Sequence, residues 1–242
     1  MSFSLRWYAM GYIVGIVIGW WIANNDTPPL TREQIEDLLT WVIIGVIAGG
    51  RFGYVLFYGQ GQFANDPLQI LRIWDGGMSF HGGFLGVCVA VISCARRYGA
   101  ALGDVANILA LTATPAIFLV RIANFINAEL WGRPTDLPWG VIFPEGLCAR
   151  HPSQLYEALL EGLILGAIIL FLAFKRGWLK RKWSLVAVFL IGYGAARFAV
   201  EFVRQPDQQF TSPTWGLTQG QALSIPMIVA GVIVIVLTRR NA

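Results

Sequence analysis

Long apolar runs alternate with short polar connections along the whole chain. A helix that crosses a bilayer needs about 20 mostly apolar residues. The fourth of the runs is the weakest, because Asp104, Asn107 and Pro115 interrupt it. The pattern predicts an all-α, polytopic membrane protein with seven transmembrane helices, at about 7–24, 38–58, 80–95, 104–120, 154–174, 184–203 and 220–238.

The connection between the fourth and fifth runs is the longest polar interruption of this pattern. Residues 121–153 are too polar, and too rich in Pro and Gly, to form a span. We expect them to form a small outward-facing head in a single membrane domain of residues 1–242. The first run continues through Trp20 and Trp21 without a small-x-small cleavage site, so we interpret it as a transmembrane helix rather than a cleaved signal.

Composition supports a membrane protein. Of the 242 residues, 56% are hydrophobic and 13% charged, about half of the charged fraction of a soluble domain. The net charge of +4 does not indicate nucleic-acid binding, because the Lys and Arg residues lie between or inside apolar runs. The three cysteines, Cys88, Cys94 and Cys148, have no metal-ligand spacing. We expect no metal and no cofactor.

The distribution of positive charge predicts the orientation. With seven spans, one side of the membrane receives ten Lys and Arg residues, including the dense run at 175–182, and the other receives six. Positive loops favour the cytoplasmic side. We therefore expect an outside N-terminus, a cytoplasmic C-terminus and an outward-facing 121–153 segment.

Small residues recur at four-residue spacing in two of the runs. This spacing places them on one helix face, where they let a second helix approach closely. We interpret both sets as packing faces: Gly11, Gly15 and Gly19 in the first run, and Gly45, Gly49 and Gly53 in the second.

Polar residues also share helix faces, and these faces are expected to point to the protein interior or to a water-filled cavity. One interpretation is a buried salt-bridge network, for example Arg197 with Glu157 or Glu161. The other is a site around a common cavity. The three faces are Tyr193, Arg197, Glu201 and Arg204 in the sixth run, Gln154, Glu157 and Glu161 in the fifth, and Arg51, Tyr54 and Tyr58 in the second.

Two further stretches carry candidate chemistry. If residues 121–130 are helical, Arg121, Asn124 and Asn127 lie on one side, opposite Ile122, Ile126 and Leu130. His81 lies in the glycine-rich stretch 75–83, where glycines allow close backbone approach to a ligand. Histidine is the natural proton carrier near neutral pH, although a lone histidine at a membrane boundary is more often positional than catalytic.

These stretches resemble, in order and over nearly the whole chain, the bacterial phosphatidylglycerol–prolipoprotein diacylglyceryl transferases. The motifs that carry the resemblance are 75–83, 121–132, 150–157 (RHPSQLYE) and 197–207. The resemblance implies a seven-span enzyme of the inner membrane. It also implies transfer of the sn-1,2-diacylglyceryl group from phosphatidylglycerol to the lipobox cysteine of a prolipoprotein signal peptide, which forms a thioether and releases glycerol 1-phosphate.

The resemblance also implies roles for individual residues. Arg121 matches the essential arginine of the family signature, and His81 matches the family's histidine, a candidate base. Arg197 matches a residue tied to activity and is the third predicted catalytic residue. The predicted substrate-binding residues are Tyr8, Asn124, Asn127, Glu129, Gly132, Tyr193, Glu201 and Arg204.

The chain departs from the family pattern at several places. Val120 and Ala123 stand where the signature usually has glycine, the region before Trp7 is shorter than is typical, and the loop from Phe143 to Arg150 is reduced. These differences bear on substrate range and on the covering of the site.

The predicted reaction requires a thiolate nucleophile and stabilisation of a departing phosphate. Arginine suits the phosphate because it stays charged and binds two oxygens at once. We expect Arg121 and Arg197 to hold the phosphate, His81 to take the thiol proton, and Glu129 to position an arginine. The alternatives are a small anion transporter and a non-catalytic protein that binds signal peptides.

Overall fold

The computed structural model describes residues 7–25, 30–59, 66–144, 146–206 and 216–240. Within these residues the secondary structure is helical, apart from isolated β-bridges, which confirms the all-α prediction. Each predicted apolar run corresponds to one helix, although the sixth helix ends at Val200, before the predicted end at residue 203. The helices are α1 (Trp7–Asn24), α2 (Arg32–Tyr58), α3 (Phe80–Tyr98), α4 (Leu102–Ile126), α5 (Ser153–Lys175), α6 (Ser184–Val200) and α7 (Gln219–Arg240).

Five of these helices, α1, α2, α4, α5 and α7, are long and apolar enough to cross a membrane, and α6 is a shorter apolar helix. Large apolar side chains are exposed on their surfaces, as at Trp21, Phe52 and Val232. Such surfaces suit a lipid environment, and the chain is a multi-pass membrane protein. The count of seven spans stays a prediction.

Two helices extend well beyond their predicted bounds. Helix α2 begins well before residue 38, because Thr31 and Gln34 form a capping box that fixes its start. Helix α4 continues to Ile126, so Arg121 belongs to the fourth helix and not to a separate polar segment. Asn107 does not interrupt α4. Its buried amide donates to the Arg181 carbonyl and accepts from the backbone N–H groups of Leu185 and Val186.

The chain folds into two compact units, a larger one of residues 1–26 and 107–242 and a smaller one of residues 27–106. In the larger unit, Gly11, Gly15 and Gly19 of α1 contact α4 at Leu119, Ala116 and Thr112. In the smaller unit, Gly45, Gly49 and Gly53 of α2 contact Gly82 and Gly86 of α3. The predicted small-residue packing faces are therefore confirmed.

The contact between α2 and α3 yields a stability prediction. A β-carbon at Gly86 would overlap the carbonyl group of Gly45, whereas one at Gly83, a turn earlier on the same helix, would meet only the Val46 carbonyl oxygen at 3.6 Å. We expect Gly86→Ala to destabilise the protein by about 1–3 kcal/mol through overpacking. Gly83→Ala should be neutral, since alanine is the better helix former. Thermal melting in detergent checks this, and equal melting temperatures for the two variants would contradict it.

Candidate active site

Three helices of the larger unit place charged side chains against one another. Arg121 comes from α4, Glu157 and Glu161 from α5, and Arg197 from α6. The two glutamate side chains are fully buried. Carboxylates are almost never fully buried unless they are paired, so the burial itself requires cationic partners.

Glu157 is the centre of this cluster. Its Oε1 accepts hydrogen bonds from Arg197 Nη1 at 2.5 Å and Arg204 Nη1 at 2.9 Å. Its Oε2 lies 3.2 Å from Arg121 Nε, so one carboxylate pairs with three guanidinium groups. The predicted salt-bridge network is therefore confirmed, and it includes the pairing of Arg197 with Glu157.

Two more carboxylates complete the cluster and balance its charge. Glu161 Oε2 lies 3.5 Å from Arg121 Nη2, and Glu201 Oε2 lies 2.9 Å from Arg197 Nη2. The three arginines thus face three glutamates. The Glu201 carboxylate also packs on the first turn of α7, where a β-carbon at Gly220 would lie 2.5 Å from Oε2. The partial positive charge of a helix N-terminus stabilises a carboxylate at this place.

Local backbone geometry brings the two α5 carboxylates to the same arginine. Residues Ala158–Ile164 form π-helical turns, which are wider than α-helical ones and are frequent at functional sites. In a wider turn, side chains four residues apart point in more similar directions, so Glu157 and Glu161 both reach Arg121. Gly162 lets α4 approach, because a β-carbon there would lie 2.6 Å from Phe118 Cβ.

The arginines lie at the accessible edge of the cluster. The side chains of Arg121 and Arg197 are 17% and 18% exposed, while Glu157 and Glu161 are 0% exposed. The carboxylates therefore lie behind the guanidinium groups and fix their planes. Tyr193, which lies on α6, interacts with the Arg121 side chain. Fixed, partly exposed guanidinium groups are suited to bind an anion, because arginine donates two parallel hydrogen bonds to phosphate oxygens.

The chain reverses direction directly after α4. Ala128 and Leu130 have left-handed backbone angles, φ 54° and 59°, and the Glu129 N–H donates to the Asn124 carbonyl at 3.0 Å. Glu129 Oε1 then accepts from Asn124 Nδ2 at 2.8 Å and from Asn127 Nδ2 at 3.3 Å. The tight reversal turns the Glu129 carboxylate towards the two asparagines, and the expectation that Glu129 positions an arginine stays a prediction.

Gly132 lies at a tight crossing in the larger unit. Its N–H donates to the His151 carbonyl at 2.9 Å, and it pairs with Arg204 as an antiparallel bridge. A β-carbon at this position would lie 2.6 Å from both His151 Cβ and the Val203 carbonyl oxygen. The need for glycine at this position follows from backbone packing.

Other residues that the sequence pattern singled out lie outside the charged cluster. Tyr8 in α1 has its hydroxyl 3.1 Å from that of Tyr12. His81 belongs to the smaller unit, where it lies in the first turn of α3 with an exposed side chain. Arg51, from the polar face of α2, bonds to backbone carbonyls of that same unit.

Sequence similarity to known proteins identifies the family. The prolipoprotein diacylglyceryl transferase family matches residues 1–237. The chain belongs to this family. Proteins named phosphatidylglycerol–prolipoprotein diacylglyceryl transferase are 52% identical in Cereibacter sphaeroides, with 100% of this chain and 93% of the relative covered. They are 51% identical in Ruegeria pomeroyi (96% and 89% covered) and 46% in Caulobacter vibrioides (94% and 85%).

The structure adds Glu157 and Glu161 to the site residues predicted for this family member. In the sequence, the feature that pointed to Glu157 and Glu161 was the helix face they share with Gln154. All three side chains are buried. Gln154 Nε2 donates to the Glu129 carbonyl at 2.6 Å, so the same face of α5 also holds the reversal after α4.

The central position of Glu157 yields the second prediction. Glu157→Gln removes the charge that three buried or half-buried arginines share, and we expect a loss of about 3–5 kcal/mol of stability. Glu36→Gln is the matched control, because it breaks only the exposed pair of Glu36 with Arg32, for which about 0–1 kcal/mol is typical. Thermal melting of both purified variants measures the difference. Equal melting temperatures would show that the cluster does not stabilise the fold.

Proposed function

We propose that this protein transfers the sn-1,2-diacylglyceryl group of phosphatidylglycerol to the lipobox cysteine of a prolipoprotein signal peptide. The observation that carries the proposal is the pair Arg121 and Arg197, held from behind by buried glutamates in a chain that belongs to this family. The products are a thioether-linked lipid on the peptide and glycerol 1-phosphate. The substrates are membrane lipid and a membrane-associated peptide, and the reaction needs no cofactor.

The phosphate diester of phosphatidylglycerol is the anion proposed for the two arginines. The three glutamates already neutralise the three arginines, so the site does not rely on excess positive charge. Instead, fixed N–H groups face the position where charge develops, and donors of this kind stabilise a leaving anion without reorganisation. Glu201 and Arg204 serve this proposal by holding Arg197 and Glu157 in place.

The reaction exchanges one bond to carbon for another. The cysteine thiolate attacks the glycerol carbon that carries the phosphate ester oxygen. The C–S bond forms, the C–O bond breaks, and its electron pair leaves on the oxygen of glycerol 1-phosphate. Arg121 and Arg197 are the proposed stabilisers of that charge. His81 is the proposed acceptor of the thiol proton, which the nucleophile must lose before it attacks.

Neutral polar groups are proposed to orient the glycerol headgroup. Asn124 is buried, and its Oδ1 makes no hydrogen bond to the described residues. It is the proposed acceptor for a headgroup hydroxyl. Asn127 and Glu129 hold the Asn124 side chain in place through their shared hydrogen bonds. Tyr8 and Tyr193 are the proposed phenol contacts, and Gly132 keeps the reversal after α4 close to Arg204.

The proposed topology has seven spans in the cytoplasmic (inner) membrane, with the N-terminus outside and the C-terminus in the cytoplasm. Lys and Arg on the cytoplasmic connections support this orientation. The segment after α4, together with the bridges around Arg150, is the proposed outward-facing head. The site is thereby proposed to open towards the side where signal peptides emerge.

A defined assay tests the activity. Purified protein is mixed with phosphatidylglycerol and a lipobox peptide, and peptide mass gain and glycerol phosphate release are measured. We expect equal amounts of both products. Arg121→Ala and Arg197→Ala should each lower kcat by about a hundredfold or more, because each removes charge stabilisation at the leaving group.

Two controls accompany this prediction. Arg32→Ala removes an exposed arginine of α2 and should leave turnover unchanged. Circular dichroism and melting curves show whether each variant is folded. If the wild-type protein yields no product where a known enzyme does, the transferase assignment is wrong. If the folded Arg121→Ala variant keeps wild-type turnover, Arg121 does not stabilise the leaving group.

A further inference from the structure

The segment that leads into His81 is held by α2. Two short 3₁₀ turns, Pro67–Leu71 and Ile73–Asp75, precede an extended stretch that ends at Ser79, and α3 begins at Phe80. Irregular backbone of this kind must satisfy its carbonyl and N–H groups with specific partners. Most of the partners described here come from two adjacent residues of α2, Gly50 and Arg51.

Arg51 is buried, with 6% of its surface exposed, and its side chain points into this segment. Its Nε donates to the Ile70 carbonyl at 2.8 Å. Each terminal nitrogen donates to two further carbonyls of the segment. Nη1 bonds Gly76 (2.5 Å) and Gly77 (3.1 Å), and Nη2 bonds Gln69 (2.5 Å) and Arg72 (3.2 Å).

The contacts continue along the backbone to the histidine. The Ser79 N–H donates to the Gly50 carbonyl at 2.8 Å, and Ser79 Oγ accepts from the Gly82 N–H at 3.3 Å as the cap of α3. Gly77 has φ +80° and packs on the Tyr54 ring, where a β-carbon would lie 2.5 Å from Cε1. The backbone from Gly76 to Ser79 is therefore fixed on α2 immediately before His81.

We propose that Arg51 is a positioning residue for His81. Its planar guanidinium group binds carbonyls of the first 3₁₀ turn, of Arg72, and of Gly76 and Gly77. The fixed backbone then sets the position of the imidazole. This inference rests on the proposed role of His81 as proton acceptor. Arg51 itself touches no reacting atom in this account, and its effect on turnover passes through the backbone of residues 76–79.

The geometry of the five hydrogen bonds separates this role from a simple requirement for charge. Lysine keeps a positive charge but presents one compact ammonium group in place of a rigid fork. It cannot reach carbonyls on both edges of the guanidinium plane. Arg51→Lys should therefore keep the fold and still loosen residues 76–79.

Steady-state kinetics with phosphatidylglycerol and a lipobox peptide provide the test. We expect Arg51→Lys and Arg51→Gln to lower kcat by about tenfold or more, since small misplacements of a catalytic group are costly. KM for phosphatidylglycerol should change less than about twofold, because the arginine cluster of the larger unit is untouched. Arg72→Gln is the matched control. It lies in the same segment but forms only an exposed salt bridge with Asp66 through its side chain, and it should retain turnover.

A double variant shows whether Arg51 acts through His81. If it does, adding Arg51→Gln to His81→Gln lowers kcat by much less than Arg51→Gln does alone, because the two residues act as a unit. Full additivity of the two losses would overturn the proposal. Wild-type turnover in Arg51→Lys would overturn it as well.

Hydrogen–deuterium exchange covers variants whose turnover is too low to measure. We expect faster exchange of the Ser79 and Gly82 amides in Arg51→Lys, with an unchanged rate for the core of α3. Unchanged exchange at both amides overturns the proposal. The outcomes also distinguish a failure of the proposed function from a failure of the proposed role of His81. An inactive wild-type protein contradicts the proposed function, whereas an active wild type with an unaffected His81→Gln variant contradicts only the role of His81 and the positioning that depends on it.

Discussion

The pairing of Glu157 with Arg121, Arg197 and Arg204 is the interaction on which the larger unit depends. A fully buried carboxylate is strongly unfavourable without partners, and three arginines within 3.2 Å supply them. This requirement fixes how α4, α5 and α6 meet, because each contributes to one small cluster. Gly162 gives α4 the room to approach, and the π-helical turns of α5 direct the second carboxylate to the same place. The partly exposed edge of the arginines is thus a consequence of how the charges are buried.

The smaller unit also buries an arginine side chain, but with different hydrogen-bond partners. Arg51 is also buried, but its described hydrogen bonds go to backbone carbonyls of residues 69–77. In the larger unit an arginine is held so that its edge stays accessible to a ligand. In the smaller unit all three nitrogens of the guanidinium group are used to shape a backbone segment. The first arrangement is suited to bind an anion and the second to position a neighbouring residue.

The sequence predicted the helices well, because apolar runs of bilayer length and glycines at four-residue spacing leave direct traces. The pairing of Arg197 with Glu157 was also foreseen from shared helix faces. Other features leave no such trace. Arg51 bonds to carbonyls, which every residue carries, so side-chain patterns cannot reveal its partners. Glu129 turns to Asn124 because Ala128 and Leu130 adopt left-handed backbone, which these residue types do not favour.

The central claim is that Arg121 and Arg197 form the binding site for an anionic lipid headgroup. Native mass spectrometry of the purified protein, offered equal amounts of phosphatidylglycerol and of a diacylglycerol with the same acyl chains but no phosphate, tests this claim. We expect the wild-type protein to retain phosphatidylglycerol preferentially, and the folded Arg121→Gln/Arg197→Gln double variant to lose the preference while still binding lipid. An unchanged preference in the double variant would contradict the account.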